Sequence, residues 1–309
     1  MTTRPILTLT PNPAIDGFCE AETVRPIHKI RTRKEEFHPG GGGINAARVI
    51  RELGGDSLAL YLSGGATGPV LDDLVARIGL PHRAIPIADH TRISQVVLET
   101  SSGLEYRFVP EGPEVTKAEW GSCKAALQEM PCDWLVLSGS LPPGIEASAY
   151  VDIISTMLAR GTRCVLDTSG EALKLAVERG GLALVKPSQG EFESLVSRKL
   201  PDVESIGREA VALAAAGKAD LIAVTLGRDG ALLADATGVL QHKAPPVVGR
   251  SAVGAGDSFV GAMVFALSQG RSRDDAFRLG MAAGAAAVMR HGPYLCDPAD
   301  VHRLYDQIA

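Results

Sequence analysis

The chain has 309 residues, 45% of them hydrophobic, which is enough apolar material for one large domain or two modest ones. Its formal net charge of −5 argues against nucleic acid as the main partner, because such proteins need a broad basic surface. The five cysteines never show C-x-x-C spacing, the first residues lack the apolar core of a signal peptide, and no apolar run could span a membrane. We therefore expect a soluble, cytoplasmic protein with reduced thiols.

Short aliphatic runs alternate with helix-like stretches along most of the chain. Strands are predicted for ILTLT from Ile6, SLALYL from Ser57, WLVLS from Trp134, RCVLD from Arg163, LALV from Leu182 and LIAVTL from Leu221. Helices are predicted from Ile44 to Leu53, from Val70 to Ile78 and from Tyr150 to Ala159, and the region from Val260 to Ala309 is predicted to be almost wholly helical. Because these strands are apolar throughout, they indicate a parallel sheet covered on both faces, and so an α/β fold.

Two polar segments interrupt this alternation. Phe18 to His38 is polar and strand-like, and Arg92 to Gly112 is predicted to form two strands around a turn at Ser101 to Gly103. Their one-sided pattern does not suit a buried parallel sheet. We therefore predict a small antiparallel lid, with excursions at about 14–38 and 89–112 of a single domain that covers 1–309.

Polar residues follow several of the predicted strands. They are Asn12 and Asp16, Ser138 to Ser140, Asp167, Lys186 and Gly227. In open parallel sheets, ligands bind beyond the carboxyl ends of the strands. The sequence therefore predicts a binding site along one edge of the sheet.

A run of four glycines, Gly40 to Gly43, precedes a predicted helix that carries Asn45. Free main-chain amides at a helix start can bind an anion or a hydroxyl, so a ligand-contacting loop is favoured over a plain turn. Gly41, Gly43 and Ala46 also match G-x-G-x-x-A, the fingerprint of an NAD-dependent oxidoreductase. No buried strand precedes these glycines and no acidic residue ends the next strand, which counts against that alternative.

The stretch VGAGDSFVGA contains a second glycine pair, Gly254 and Gly256, followed by the lone acid Asp257. Gly254, Ala255 and Gly256 at a helix start would direct several N–H groups toward one point, where the helix dipole adds positive potential. An acid beside such an anion hole suits transfer of a phosphoryl group to an alcohol, which needs a base and donors for the phosphoryl oxygens. The simpler alternative, that Asp257 only compensates the helix dipole, leaves the glycines without a role.

Charged residues outside the glycine loops permit two roles each. Lys29, Arg31 and Arg92 could clamp a substrate phosphate or could simply add charge to edge strands. Lys186 ends a buried strand, which is unusual, and Glu191 fits the last position of a helix capping box. Capping is the favoured role of Glu191, and a metal-linked role is secondary.

Together these motifs resemble the PfkB, or ribokinase-like, family of carbohydrate kinases. The resemblance covers TLTPNPAID, GGGGINAAR, GGATG, LSGSLPPG, LDTSGEAL, VTLGRDGAL and VGAGDSFVGA, which is nearly the whole chain, and it is strongest to the 6-phosphofructokinase subgroup. It implies a ribokinase-like α/β/α body with a parallel sheet and a β lid. It also implies ATP-dependent phosphorylation of fructose 6-phosphate at the 1-hydroxyl, with Mg²⁺ and K⁺ as cations.

The resemblance also implies roles by position. For catalysis it implies Asp257 as the base and Gly254, Ala255 and Gly256 as the anion hole. For the sugar phosphate it implies Asp16, Gly41, Gly42 and Asn45 at the hydroxyls, Lys29, Arg92 and Ser140 at the phosphate, and Arg31 at a neighbouring subunit's site. For the nucleotide it implies Lys186, Thr225, Gly227 and Gly230, and for metals it implies Glu191 and the carbonyls of Ser251 and Val253.

Two features qualify this transfer. Many relatives carry Asn where this chain has Ser188, which bears on the magnesium-linked motif, and the segment Arg290 to Tyr294 is unusual for the cation loop. Relatives acting on fructose 1-phosphate or tagatose 6-phosphate often have lysine in place of Gly42, so fructose 6-phosphate is favoured over those substrates. A sugar-phosphate-binding protein without turnover is a further alternative. The one-sided lid strands predict a homodimer formed through the lid.

Overall fold

The computed structural model describes residues 4–308. In chain order its strands are β1 (Ile6–Thr10), β2 (Ala14–Ala21), β3 (Thr32–Gly40), β4 (Ser57–Gly64), β5 (His82–Ile87), β6 (Arg92–Glu99), β7 (Leu104–Phe108), β8 (Trp134–Ser138), β9 (Arg163–Asp167), β10 (Leu182–Val185), β11 (Ala219–Thr225), β12 (Ala231–Asp235) and β13 (Gly238–His242). Its helices are α1 (Gly42–Glu52), α2 (Gly68–Arg77), α3 (Lys117–Glu129), α4 (Ala149–Leu158), α5 (Gly170–Arg179), α6 (Gln189–Leu195), α7 (Val203–Ala215), α8 (Ala255–Ser268), α9 (Arg273–Val288) and α10 (Pro298–Tyr305).

The larger sheet has nine strands in the order β13-β12-β11-β10-β9-β8-β1-β4-β5. Seven of them, β5, β4, β1, β8, β9, β10 and β11, pair in parallel, and β12 and β13 extend the sheet by antiparallel pairing. All six strands predicted from apolar runs belong to this sheet, so the prediction of a covered parallel sheet is confirmed. The antiparallel β12–β13 extension was not predicted.

Alternation along the central strands divides the core between two layers of helices. Leu135 and Leu137 of β8 belong to the cluster that includes buried residues of α3 to α7, whereas Val136 belongs to the cluster that includes residues of α1, α8, α9 and α10. Successive side chains of a strand point to opposite faces, so each face of the sheet receives its own apolar layer. The result is the expected α/β/α body.

The lid is a second sheet of four strands in the order β3-β2-β6-β7. Its outer pairs, β2–β3 and β6–β7, are antiparallel as predicted, and the two are joined by the parallel pair β2–β6. The connection between β2 and β3, residues 22–31, forms no strand. The lid is therefore built from two strand pairs separated by about fifty residues of chain.

Helices α8, α9 and α10 confirm the predicted helical C-terminal region. Helix α8 crosses α1 at Gly261, where an added Cβ would lie only 2.7 Å from the carbonyl oxygen of Ala46. This close approach needs glycine, and it brings the N-terminal ends of the two helices together. Within residues 4–308 no helix combines the length and apolar character that a bilayer crossing requires.

Candidate active site

Asp257 lies in the first turn of α8 and is half-buried where α8 meets α1. Its Oδ2 accepts a hydrogen bond from Asn45 Nδ2 at 2.8 Å. Burial raises the pKa of Asp257, while the Asn45 hydrogen bond and the positive charges of Lys186, Arg107 and Arg48 oppose that rise. The carboxylate is therefore poorly solvated, and a raised pKa makes it a stronger proton acceptor.

A cavity of about 180 Å³ opens beside this carboxylate, between the lid and the body. Seven predicted site residues line it: Asp16, Gly41, Asn45, Arg92, Val253, Gly254 and Asp257. They come from β2, β6 and the start of α1, and from the loop that enters α8. The structure thus brings the two glycine motifs and the lid to one cleft.

Gly254 turns the chain into α8 with φ 70° and ψ 0°, a left-handed conformation that favours glycine. An added Cβ there would also lie 2.6 Å from Leu295 Cδ2. The first N–H groups of α8, beginning at Ala255, have no preceding helical turn to bond to. They are free main-chain donors at the positive end of a helix, beside Asp257, as the anion hole requires.

Asp16 lies on β2 and faces the same cleft. Its carboxylate lies directly over Gly40, where any added Cβ would overlap it. Burial raises the pKa of Asp16 to about 6, Asp257 adds to the rise, and the arginines at 92, 107 and 48 oppose it. The cleft therefore holds two acids whose charges repel each other, and ionising Asp16 in the folded protein costs free energy.

We expect Asp16→Asn to be more stable than the wild type at pH 7.5, by about 1–2 kcal/mol after allowing for the open cleft. The folded pKa of about 6 lies above the ordinary 3.8, so the folded protein holds this proton more tightly than the unfolded chain. The stability from this group is present below pH 4 and is lost as pH rises through 6. Urea unfolding at pH 4 and 7.5 measures this, and a difference from wild type that stays constant with pH would contradict it.

Arg92 is held in the cleft wall by main-chain carbonyls. Its Nη2 donates to Asn12 O at 2.7 Å, its Nη1 to Pro110 O at 2.9 Å and its Nε to Pro13 O at 3.4 Å. A guanidinium has five N–H groups, so donors remain for a ligand. Ser140 lies next to this wall, because its Oγ accepts from Asn12 Nδ2 at 3.2 Å.

Lys186 and Asp167 form a buried ion pair on the other side of α8, with Lys186 Nζ 3.1 Å from Asp167 Oδ1. Burial alone would lower the pKa of Lys186, but the carboxylates around it, Asp167 first, raise it. Burial raises the pKa of Asp167. A Cβ added to Gly256 would lie 3.4 Å from Lys186 Nζ, so this cation lies against the entrance of α8.

The other residues predicted for the nucleotide lie at the ends of neighbouring strands. Thr225 ends β11 and forms a bridge with Ser188, and Gly227 and Gly230 bound a short 3-10 turn before β12. Gly230 has φ 104°, and an added Cβ would overlap the carbonyl of His242. None of these positions lines the cleft.

Glu191 forms the predicted capping box, since its Oε2 accepts from Ser188 N at 2.7 Å and from Ser188 Oγ at 2.8 Å. Its charge also acts on Asp167 and Lys186. In residues 4–308 no three His, Cys, Asp or Glu side chains converge into a metal cage.

The loop before α8 fits a monovalent cation site of neutral oxygens. Ser251 is buried, its Oγ accepts from Val253 N at 3.2 Å, and the N–H groups of Arg250 and Ser251 both donate to Val288 O. The loop is thereby tied to the end of α9. A turn held this way leaves carbonyl and hydroxyl oxygens as the groups available to an ion.

Lys29 and Arg31 do not join the cleft. Both are exposed on the connection between β2 and β3, at the edge of the lid. Sequence reasoning instead gave no site role to Arg107, Ser94 and Gln95, which line the cleft from β7 and β6. Alternation along β7 separates Arg107 from Leu104 and Phe108, but it does not indicate which of the two faces meets the cleft.

Comparison with known proteins decides the family. The model of the pfkB family carbohydrate kinases matches residues 15–300. The chain belongs to this family. ATP-dependent 6-phosphofructokinase isozyme 2 of Escherichia coli K12 is 39% identical over 97% of each chain, and the Mycobacterium tuberculosis H37Rv protein of the same name is 39% identical over 98% of this chain and 90% of its own.

Solved structures agree with this assignment. Phosphofructokinase-2 from Escherichia coli in complex with substrates and products superposes with a TM-score of 0.94 at 39% identity, covering 98% of this chain and 99% of that one. Its complex with potassium gives 0.95 at 38% identity, covering 99% of each chain, and a further structure is its tetrameric inhibited form. The ribokinase-like fold is thereby confirmed.

The dinucleotide fingerprint loses its structural basis. Gly41 follows β3, an edge strand of the lid, rather than a buried strand of the parallel sheet. A Rossmann glycine loop instead connects a central parallel strand to its helix. The match to G-x-G-x-x-A is therefore a coincidence of glycine spacing.

Proposed function

We propose that this protein is an ATP-dependent kinase that phosphorylates fructose 6-phosphate at its 1-hydroxyl to give fructose 1,6-bisphosphate. The observation that carries this is the position of Asp257, which lies half-buried beside the free amides of α8 and lines the cleft. The names of the relatives at 39% identity agree with it. We further propose that residues 1–309 act as one kinase domain in the cytoplasm, with lid excursions at about 14–38 and 89–112.

In the reaction, Asp257 accepts the proton of the 1-hydroxyl as that oxygen forms its bond to the γ-phosphorus. The bond from the γ-phosphorus to the bridging oxygen of ADP breaks at the same time, and ADP leaves with that electron pair. The amides at Gly254, Ala255 and Gly256 donate to the phosphoryl oxygens. Glu191, whose charge acts on Asp167 and Lys186, would help to hold Mg²⁺, which would supply positive charge to the phosphates of ATP.

On the sugar side, Asp16, Gly41, Gly42 and Asn45 would bind hydroxyls, and Arg92 and Ser140 would bind the 6-phosphate. Lys29 and Arg31 are too exposed in one chain to serve its own cleft, so we assign them to the cleft of a second copy. On the nucleotide side, Lys186, Thr225, Gly227 and Gly230 would contact ATP. The lid excludes water that would otherwise hydrolyse ATP.

Substrate choice follows from Gly42. An added Cβ at this position would overlap Ser138 Oγ and lie 3.2 Å from Asp257 Oδ1, so position 42 has no room for a basic side chain as the chain is arranged. A phosphate there would meet Asp257 without a dedicated cation. Fructose 6-phosphate, which presents a neutral hydroxyl, is favoured over fructose 1-phosphate.

The test is ADP release measured with fructose 6-phosphate, fructose 1-phosphate and tagatose 6-phosphate in parallel. We expect kcat/KM to be highest for fructose 6-phosphate, by about tenfold or more, the effect of one well-placed charge or hydrogen bond. A higher value for either other sugar would assign the chain to that activity. Sugar binding without ADP release would indicate a sugar-phosphate-binding protein without turnover.

We also propose a homodimer formed through the lid. Leu104 and Phe108 are 60% and 56% exposed on the outer face of β7, and Ile93 on β6 is also exposed. Such an apolar sheet face on a lid suits a second copy, which would also receive Lys29 and Arg31. Light scattering should give twice the chain mass of 32.4 kDa. Phe108→Lys should give monomers, whereas Val239→Lys, on the exposed edge of the body, should not; a monomeric wild type would refute the dimer.

A further inference from the structure

One carboxylate of the lid reaches the loop that enters α8. Glu105 lies on β7, and its Oε2 accepts a hydrogen bond of 2.8 Å from Ser251 Oγ, 146 residues along the chain. Its Oε1 is buried and has no hydrogen-bond partner. Among residues 4–308, Glu105 also forms no ion pair within 4.0 Å. A buried carboxylate oxygen that has neither a hydrogen-bond donor nor a cation beside it is rare, since such groups are normally paired or bound to a metal.

The alternation of β7 directs Glu105 toward the body. It shares the face of Arg107, which lines the cleft, and it lies opposite the exposed Leu104 and Phe108. The charge of Arg107 acts on Asp16 and Asp257, the two acids of the cleft. The group that contacts the Glu105 carboxylate is therefore the Ser251–Val253 loop, which contains no basic residue.

We infer that Glu105 is a ligand of the monovalent-cation site at Ser251–Val253, so that binding the cation fastens the lid to the loop that forms the anion hole. A single carboxylate with neutral oxygens suits a singly charged ion, because divalent cations collect several carboxylates. The carbonyls of Ser251 and Val253 are the groups the family implies. The carboxylate from the lid is the new element.

This arrangement links two parts of the active site. The cation would sit between β7, which carries Arg107 into the sugar cleft, and Val253, whose next residue opens the anion hole. Loss of the cation would leave Glu105 charged and unpaired at the contact between lid and loop, which weakens that contact. Cation binding thereby stabilises the closed lid and the start of α8 together.

The test is the thermal unfolding midpoint of the whole protein, without substrates, titrated with KCl against choline chloride at equal ionic strength. In the wild type, KCl should raise the midpoint. In Glu105→Gln, the KCl concentration that gives half of this shift should rise about tenfold or more, because the ion loses its charged ligand. Glu35→Gln, which changes an exposed carboxylate on β3 of the lid, should behave as the wild type.

Glu105→Asp is the second variant, since it keeps the charge but shortens the reach, and it should give an intermediate KCl requirement. Each protein is compared with itself in choline chloride, so a general loss of stability does not imitate the effect. An equal KCl response in wild type and Glu105→Gln would overturn the inference, and so would a wild type that does not respond to KCl. No turnover is measured, so failure here leaves the proposed kinase function untouched.

Discussion

Replacing Asp257 by asparagine is expected to lower kcat about 10²–10⁴-fold, the usual contribution of general-base catalysis. Asparagine keeps the shape of the side chain but cannot accept the hydroxyl proton. The fold should persist, because removing a buried charge relieves the desolvation that raises the pKa of Asp257. Steady-state kinetics with fructose 6-phosphate and ATP measure kcat, and calorimetry measures binding of both substrates, which should change little.

A matched control separates catalysis from helix-dipole compensation. Asp152 is an acid in the first turn of α4, far along the chain from the cleft. Asp152→Asn should cost only about 0.3–1 kcal/mol of stability and leave kcat unchanged. If Asp257→Asn behaved like Asp152→Asn, with near-normal turnover, Asp257 would have no part in the chemistry.

Lys186→Met is expected to destabilise the folded state by roughly 3–5 kcal/mol, because it leaves Asp167 buried without its partner. The two side chains are only 7% and 14% exposed, so water cannot replace the lost contact. Urea unfolding followed by circular dichroism measures the change. The double variant Lys186→Met with Asp167→Leu should recover most of the loss, because neither charge then remains buried.

The control is the exposed pair of Arg77 and Asp73 on α2, which has a shorter separation of 2.7 Å but side chains 73% and 54% exposed. Arg77→Met should cost at most about 1 kcal/mol. A loss of that size for Lys186→Met would mean that the buried pair is as well solvated as the exposed one. The assignment of Lys186 as a preorganised cation at α8 would then fail.

The parallel body could be predicted from the sequence because its strands are buried on both faces and are therefore unbroken apolar runs. Strand β13 could not, since its alternating exposure, from Gly238 to His242, carries little apolar signal. The capping box at Ser188 and Glu191 was also readable, because it depends only on residues three apart. Patterns of this kind do not depend on contacts with residues that are distant in sequence.

The lid shows what local patterns cannot give. One-sided alternation predicted its strands, but the parallel pairing of β2 with β6 joins residues about 78 positions apart and depends on the whole topology. For the same reason the alternation of β7 did not reveal which face meets the body, and so Arg107 and Glu105 received no role. Lys29 and Arg31 seemed near the glycine loop, yet they lie on an irregular segment whose course no pattern specifies.

The proposed reaction requires Asp257 to contact the acceptor hydroxyl beside the amides of α8. A crystal structure with fructose 6-phosphate and a non-hydrolysable ATP analogue measures this directly. We predict a carboxylate oxygen of Asp257 within about 2.6–3.2 Å of the sugar's O1, with the γ-phosphate on the N–H groups of Ala255 and Gly256. A complex in which Asp257 contacts only Asn45, and O1 lies beyond the reach of a bridging water, would contradict the proposed mechanism.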